Sequence, residues 1–223
     1  MKNDDIEARF KALEHQVRVL QDTLEIERLQ RSYGYYLEHW MPQEMIDLFS
    51  DSPDVAMDLP EGKYFKKEGV KRLFAGVAGN DPEFLHQLMM LSPVIDVDPD
   101  GKSAKGRWYC FGAVSIPQSK GVTQSFVSGT YENEYTKEDG KWKIKKVKWH
   151  INYHAKPDEG WVKPERLVPR DPTEIFAGPK PDIPANRFGL EYPSGYIFPF
   201  HFKHPVTDQK TTEDQRNSSL GHT

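Results

Sequence analysis

The chain has one cysteine, Cys110, so no intrachain disulfide can form and no thiolate metal cluster can assemble. It has no apolar run near the ~20 residues that a membrane-spanning helix needs. Its start, MKNDDIEARF, is charged and lacks the apolar stretch of a secretory signal. The expectation is a soluble, cytoplasmic protein with no membrane partner. Excess basic charge is missing too: the formal net charge is -4 and the pI about 6.1, which argues against a nucleic-acid partner. No glycine-rich loop for phosphates is present. The 223 residues suffice for one domain with a sizeable core and some appended material.

The stretch LEIERLQRSYGYYLEHWMPQEMIDLFS (24–50) organises the rest. Ile26, Leu29, Tyr33, Tyr36, Leu37 and Trp40 recur at helical spacing and share a face. The second half of that face is phenolic, where a purely structural helix would use Leu and Ile. Tyr33, Tyr36 and Glu38 are therefore read as lining a pocket that this helix covers. Upstream, Ile6, Phe10, Leu13, Val17, Leu20 and Leu24 step by 4, 3, 4, 3 and 4, a heptad seam of about two and a half repeats, too short for a free-standing coiled coil. Two readings stay open: a helix packed on its own domain, or a subunit contact. Asp22 followed by Glu25 resembles a capping box, so a new helix is expected near Asp22.

A short helix over 44–49, a strand over 55–59 and an amphipathic helix from Lys67 come next. Four long strands are expected over 84–97, 103–116, 122–136 and 141–153, joined by turns such as Asp98-Pro99-Asp100-Gly101 and Glu138-Asp139-Gly140. Their lengths and hairpin-like connections predict a curved antiparallel sheet. The last strand alternates lysines with Trp142, Ile144, Val147 and Trp149; the alternation slips at Lys145-Lys146, which predicts a bulge there. Ten of the 17 prolines fall between Pro157 and Pro205, which predicts an irregular extension rather than a second globular unit. Its aromatics (Trp161, Phe176, Phe188, Tyr192, Tyr196, Phe198, Phe200, Phe202) predict that it packs on the domain. The resulting division is an amphipathic helix (1–22), a main domain (23–155), a Pro/aromatic wrap (156–206) and a loose polar tail (207–223).

Several short passages resemble the SnoaL-like branch of the nuclear-transport-factor-2-like superfamily. They are Tyr33-Gly-Tyr-Tyr-Leu-Glu38 on the helix, Met45-Ile-Asp-Leu-Phe49 after it, and His86 leading into Val94-Ile-Asp-Val-Asp-Pro-Asp-Gly-Lys-Ser-Ala104. Gly129-Thr-Tyr-Glu-Asn133 with Asp139-Gly-Lys-Trp-Lys-Ile144 resembles the closing hairpin. The resemblance spans roughly residues 24 to 152. It implies an α+β fold: a cone-shaped, curved antiparallel sheet with helices closing the cavity, plus the N-terminal helix and irregular C-terminal extension. The family includes scytalone dehydratase, polyketide cyclases and binding modules, so fold alone implies little about reaction. The long first helix, phenolic motif and aromatic extension look most like the sphingomonad diarylpropane lyases, which release formaldehyde from lignin-derived aromatic diols. That implies a small aromatic substrate, no cofactor, no metal and a homo-oligomer, dimer or trimer. The alternatives are a dehydratase or isomerase on a phenolic substrate, or a non-catalytic binding module. Three features depart from the family pattern: the usual helix Asp is Glu38, the closing-hairpin Asp is Asn133, and the second catalytic His of scytalone dehydratase, expected on the 103–116 strand, has no counterpart.

The candidate catalytic residues are His86, Arg107, Tyr131, Glu38 and Tyr33; Tyr36, Tyr109, Asn133 and Trp149 are candidates for substrate binding. Strand alternation puts Arg107, Tyr109 and Phe111 on one face. If that face is inward, Arg107 needs a carboxylate or a substrate oxyanion; if outward, it is solvated. His86 has the chemistry for proton transfer near neutral pH, or is a hydrogen-bonded structural residue. Glu38 either orients His86, acts as a base, or is solvated. His150 and His154 would stand about 13 Å apart on a strand, which does not make a metal pair. His201 and His204 either cap the pocket or lie on the surface.

Overall fold

The computed structural model describes residues 3–75, 81–118, 121–162, 180–185, 187 and 189–222. Helix α1 (Asn3–Glu38) is one element of 36 residues, about 54 Å long. Its sequence has no proline and one glycine, Gly34, where a Cβ would stand 3.2 Å from Met90 Cγ and 3.4 Å from the Leu88 carbonyl. The expected break at Asp22 does not occur. The Asp22 carboxylate caps no helix: it accepts hydrogen bonds from Trp142 Nε1 (2.8 Å) and Lys137 Nζ (2.6 Å). This is where α1 first meets its domain; beyond it, Ile26, Gln30, Tyr33 and Leu37 form the buried stripe. The seam upstream does not pack on the domain, because Ile6, Phe10, Leu13, Val17, Leu20 and Leu24 are each 51–65% exposed.

The helix ends in a Schellman pair, with Met41 N–H donating to the Tyr36 carbonyl and Trp40 N–H to the Leu37 carbonyl. Trp40 occupies the left-handed position (φ 45) that glycine usually takes. Burial holds it there, with Nε1 donating to the Phe74 carbonyl at 2.9 Å.

Short elements follow: α2 (Pro42–Asp47), β1 (Ala56–Leu59), β2 (Gly62–Phe65) and α3 (Lys66–Ala75). Then come the long strands β3 (Leu85–Val97), β4 (Ser103–Gln118), β5 (Gly121–Glu138) and β6 (Lys141–Ala155). A two-residue β7 (Ile183–Pro184) and helix α4 (Glu213–Ser219) complete the described elements. The strands form one sheet in the order β3-β4-β5-β6-β1-β2-β7. It is a curved, unclosed sheet, antiparallel except where β1 runs parallel to β6. The register of β3 on β4 shifts between Leu91 and Val94, at Ser92-Pro93, where proline cannot donate to the ladder. That of β5 on β6 shifts at Glu134/Tyr135, which leaves Lys145 as the extra residue on β6.

Helix α1 covers one face of this sheet, where it packs chiefly against β3 and also on β6. Described residues of the C-terminal segment lie on the other. Tyr192 N–H donates to the Asn152 carbonyl at 2.7 Å, and the Phe198 and Pro199 carbonyls accept from Arg107 at 3.1 and 3.0 Å. Phe176 and Phe188 lie outside the described residues. The expected loose tail is also corrected: α4 buries Glu213 and Asn217, and the Asn217 amide clamps the backbone N–H and carbonyl of Ile197 at 2.9 and 2.8 Å.

Candidate active site

Alternation along β4 sorts the candidates. Trp108 and Cys110 are fully buried towards α1, while Tyr109 between them is 52% exposed on the opposite face. Residues paired across antiparallel strands share a face. His86 (on Val114), Tyr131 (on Trp108) and Trp149 (on Tyr131) therefore join Cys110 on the α1 side.

His86 sits in an aromatic corner. The Trp40 indole meets it edge-on at 6.0 Å and the Phe84 ring stacks on it at 6.3 Å. Its Nδ1 is buried without a hydrogen-bond partner. Burial holds the imidazole down at about 4, so it is neutral at pH 7. It presents a ring nitrogen with nothing bound to it.

Cys110 is four residues, about 13 Å, from Val114 along β4, and a second cluster gathers around it, with Tyr131 opposite Trp108 further on. Tyr33 and Tyr131 meet edge-to-face at 6.4 Å, and Tyr131 stacks on Trp149 at 6.2 Å. The Trp149 Nε1–H points to Cys110 Sγ at 3.3 Å. Gly129 makes room for this contact, since a Cβ there would fall 2.3 Å from Trp149 Nε1. Burial pushes both phenols well above their ordinary range, with Cys110 adding to the rise at each and Tyr33 to that at Tyr131, and burial pushes the Cys110 thiol up to about 12. All three stay protonated at neutral pH, as hydrogen-bond donors. Tyr36 is half-buried and packs against the same core.

Asn133 is held in a closed network. Its Nδ2 donates to Gln30 Oε1 at 2.9 Å, an oxygen that also accepts from Tyr135 OH at 2.8 Å, and its Oδ1 accepts from Lys148 N–H at 3.2 Å. Trp108 Nε1 donates to the same Tyr135 oxygen at 2.9 Å. With these partners Asn133 positions β5 under α1.

Three expectations about placement are corrected. Arg107 and Tyr109 point to the face opposite α1. Arg107 is nevertheless not solvated: it forms an ion pair with Glu132 and lies 4.1 Å over the Phe200 ring, beneath the C-terminal segment. The other Glu132 oxygen meets His201 Nδ1 at 2.6 Å, and the His201 side chain is only 7% exposed, so this histidine is no surface residue. Glu38 does not orient His86; its carboxylate accepts from Gln87 Nε2 at 3.3 Å. Sequence reasoning missed Trp40, Phe84, Cys110 and Gln30. One signal was available: positions 104, 106, 108, 110, 112 and 114 carry no charge, whereas 105 and 107 are Lys and Arg.

No group of three or more His, Cys, Asp or Glu among the described residues is arranged to hold a metal ion. No helix among them is long and apolar enough to cross a membrane.

The family model for the SnoaL-like domain matches residues 18–148. No curated protein matches the sequence. Among solved structures, a Novosphingobium aromaticivorans protein provisionally described as a scytalone dehydratase aligns with a TM-score of 0.54 and 20% identity, over 70% of this chain and 99% of that one. LinA aligns at 0.53 and 17%, over 67% and 99%. The LinA-type3 hexachlorocyclohexane dehydrochlorinase of Novosphingobium barchaimii aligns at 0.52 and 18%, again over 67% and 99%. At these identities the likeness is one of fold.

Proposed function

Because the chain belongs to the SnoaL-like domain family, a fold that serves small-molecule catalysis or binding, we propose that it is a cofactor-independent carbon–carbon lyase. Its substrate would be a lignin-derived 1,2-diarylpropane-1,3-diol with a free para-phenol, and its products a stilbene, formaldehyde and water. The observation that carries this reading is the presence, on one face of the sheet, of a neutral imidazole whose Nδ1 has no partner and of two protonated phenols in a separate cluster further along the strands.

Chemistry without a cofactor needs positioning, proton transfer and charge stabilisation. In the proposed course the substrate phenol lies by Tyr33 and Tyr131, with Trp149 stacked beside Tyr131. The phenol loses its proton, the benzylic C–O bond breaks, and the hydroxyl leaves as water with that proton, giving a quinone methide. His86 then takes the proton of the primary hydroxyl. The adjacent C–C bond breaks and formaldehyde departs. The bond's electron pair forms the stilbene double bond and returns the quinone methide to a phenolate. The Tyr hydroxyls donate to that oxygen until it recovers the proton from His86. The growing negative charge also strengthens His86 as a base.

A dehydratase acting on a phenolic substrate would stop after the first elimination and use the same groups. The test is turnover with EDTA present, following formaldehyde and stilbene absorbance together. Equimolar appearance of both supports the lyase. Substrate loss without formaldehyde supports the dehydratase. Binding without turnover leaves a ligand-binding module.

A further inference from the structure

Residues 4–18 of α1 have no burial to stabilise them. The described residues from Asp4 to Arg18 are exposed on every side of the helix. A solitary helix of that length is marginal in water, and this one carries Ile6, Phe10, Leu13, Val17, Leu20 and Leu24 along one line, each more than half exposed. The side chains of Phe10, Leu13, Glu14, Val17 and Arg18 border an open groove of about 410 Å³ along that line.

We propose that this segment is one strand of a parallel, in-register, two-stranded coiled coil with a second copy of the chain. The heptad assigns Phe10, Val17 and Leu24 to the a positions and Ile6, Leu13 and Leu20 to the d positions. Leucine at two d positions and the β-branched Val17 at a central a position fit two parallel strands. Charge selects the orientation. Arg9 falls at g and Glu14 at the following e, so a parallel pair sets each Arg9 against the partner's Glu14, twice by symmetry. An antiparallel pair centred between Leu13 and Val17 would set Glu14 against the partner's Glu14 and offers no opposite-charge pair in exchange. The exposed seam amounts to roughly 600 Å² per chain, near the ~800 Å² per partner of a stable interface. The coil leaves the sheet face covered by α1 untouched, because the seam ends at Leu24, before Ile26, Gln30 and Tyr33 turn inward.

The test uses the full chain. Sedimentation equilibrium at micromolar concentration should give a dimer, and Leu13→Asp/Leu20→Asp should halve the mass. Its thermal midpoint, measured at the same time, should stay within about 2 °C for the domain, since neither leucine is buried against it. Mild oxidation of Ile6→Cys should yield a covalent dimer, since position 6 meets its own copy only in the parallel register; Cys110 is buried and does not compete. A monomeric or trimeric wild type, a mass unchanged by the double substitution, or Ile6→Cys chains that cross-link to Leu24→Cys chains but not to each other would each overturn the proposal.

Discussion

Replacing Arg107 by alanine separates a structural cation from a catalytic one. Its side chain is 11% exposed and that of its partner Glu132 is 9% exposed. The guanidinium also donates to the Pro199 and Phe198 carbonyls at 3.0 and 3.1 Å and covers the Phe200 ring. Removing it leaves Glu132 buried with His201 as the neighbour bonded to its carboxylate. Breaking a buried pair from one side costs about 3–5 kcal/mol, chiefly because the remaining charge is uncompensated. For a chain of this size each kcal/mol moves Tm by about 2–4 °C, so Arg107→Ala should lower Tm by on the order of 10 °C. Adding Glu132→Gln should recover part of that loss, because the stranded charge disappears with it. Below the lowered midpoint, kcat should stay within about threefold of wild type, and limited proteolysis should cut near residues 198–206 first. Unchanged Tm with a hundredfold loss of kcat would refute this account and put Arg107 at the substrate.

His86→Gln keeps a polar group of similar size without the base; kcat should fall at least a hundredfold, within the usual range for one acid–base contact, with little change in Tm. Above pH 5 the wild-type rate should be flat, then fall as pH drops through about 4, where His86 takes up a proton; a limb near 6.5 would mean that His86 is not the titrating group. Glu61, at 6% exposure, has its carboxyl pushed up to about 7 by burial, opposed in part by Arg187. Its folded pKa lies above the unfolded one, so its favourable form is fully present below pH ~4.5 and is lost as pH rises through 7. Glu61→Gln should therefore be the more stable protein at pH 8, by up to about 3 kcal/mol, with the advantage gone at pH 4.5; urea midpoints at both pH values decide it. His86 and His150, both held at about 4, work the other way: they withdraw stability as pH falls from 6.5 through 4, so the two variants should bend the stability curve in opposite directions.

Most elements were legible because local periodicity specifies them. The four long strands, the short helix before β1 and the bulge at Lys145 follow from alternation, breakers and the slip in alternation. What was not legible depends on partners far away in sequence. Asp22 has the local look of a cap, but its ligands are 115 and 120 residues downstream. Strand alternation divides β4 into two sets without saying which faces the helix, so Arg107 was open to either side. The answer came from Glu132 and the carbonyls of Phe198 and Pro199, which satisfy its charge and its donors on the outer face. His86 was legible as a candidate. Its neutrality was not, because Trp40 and Phe84 are brought to it by a left-handed residue and a strand start.

With Arg107 on the far side, His86, Tyr33, Tyr131, Cys110, Trp149 and Trp40 form a set without charge at pH 7. The Trp40 and Trp149 N–H groups are already bonded to the Phe74 carbonyl and Cys110 Sγ, so a phenolate forming in this set would be met by the tyrosine hydroxyls and by no counter-ion from the set. Dipoles stabilise such a charge less than a buried cation would, so the substrate's own acidity should carry more of the barrier. Across ring-substituted diols, kcat/KM should rise steeply as the para-phenol becomes more acidic, and the phenol-methylated diol should not react. Had a guanidinium stood at the phenol, it would flatten that dependence. A slope near zero in log(kcat/KM) against phenol pKa, with chemistry shown to be rate-limiting, would mean that a charge not among these residues reaches the substrate.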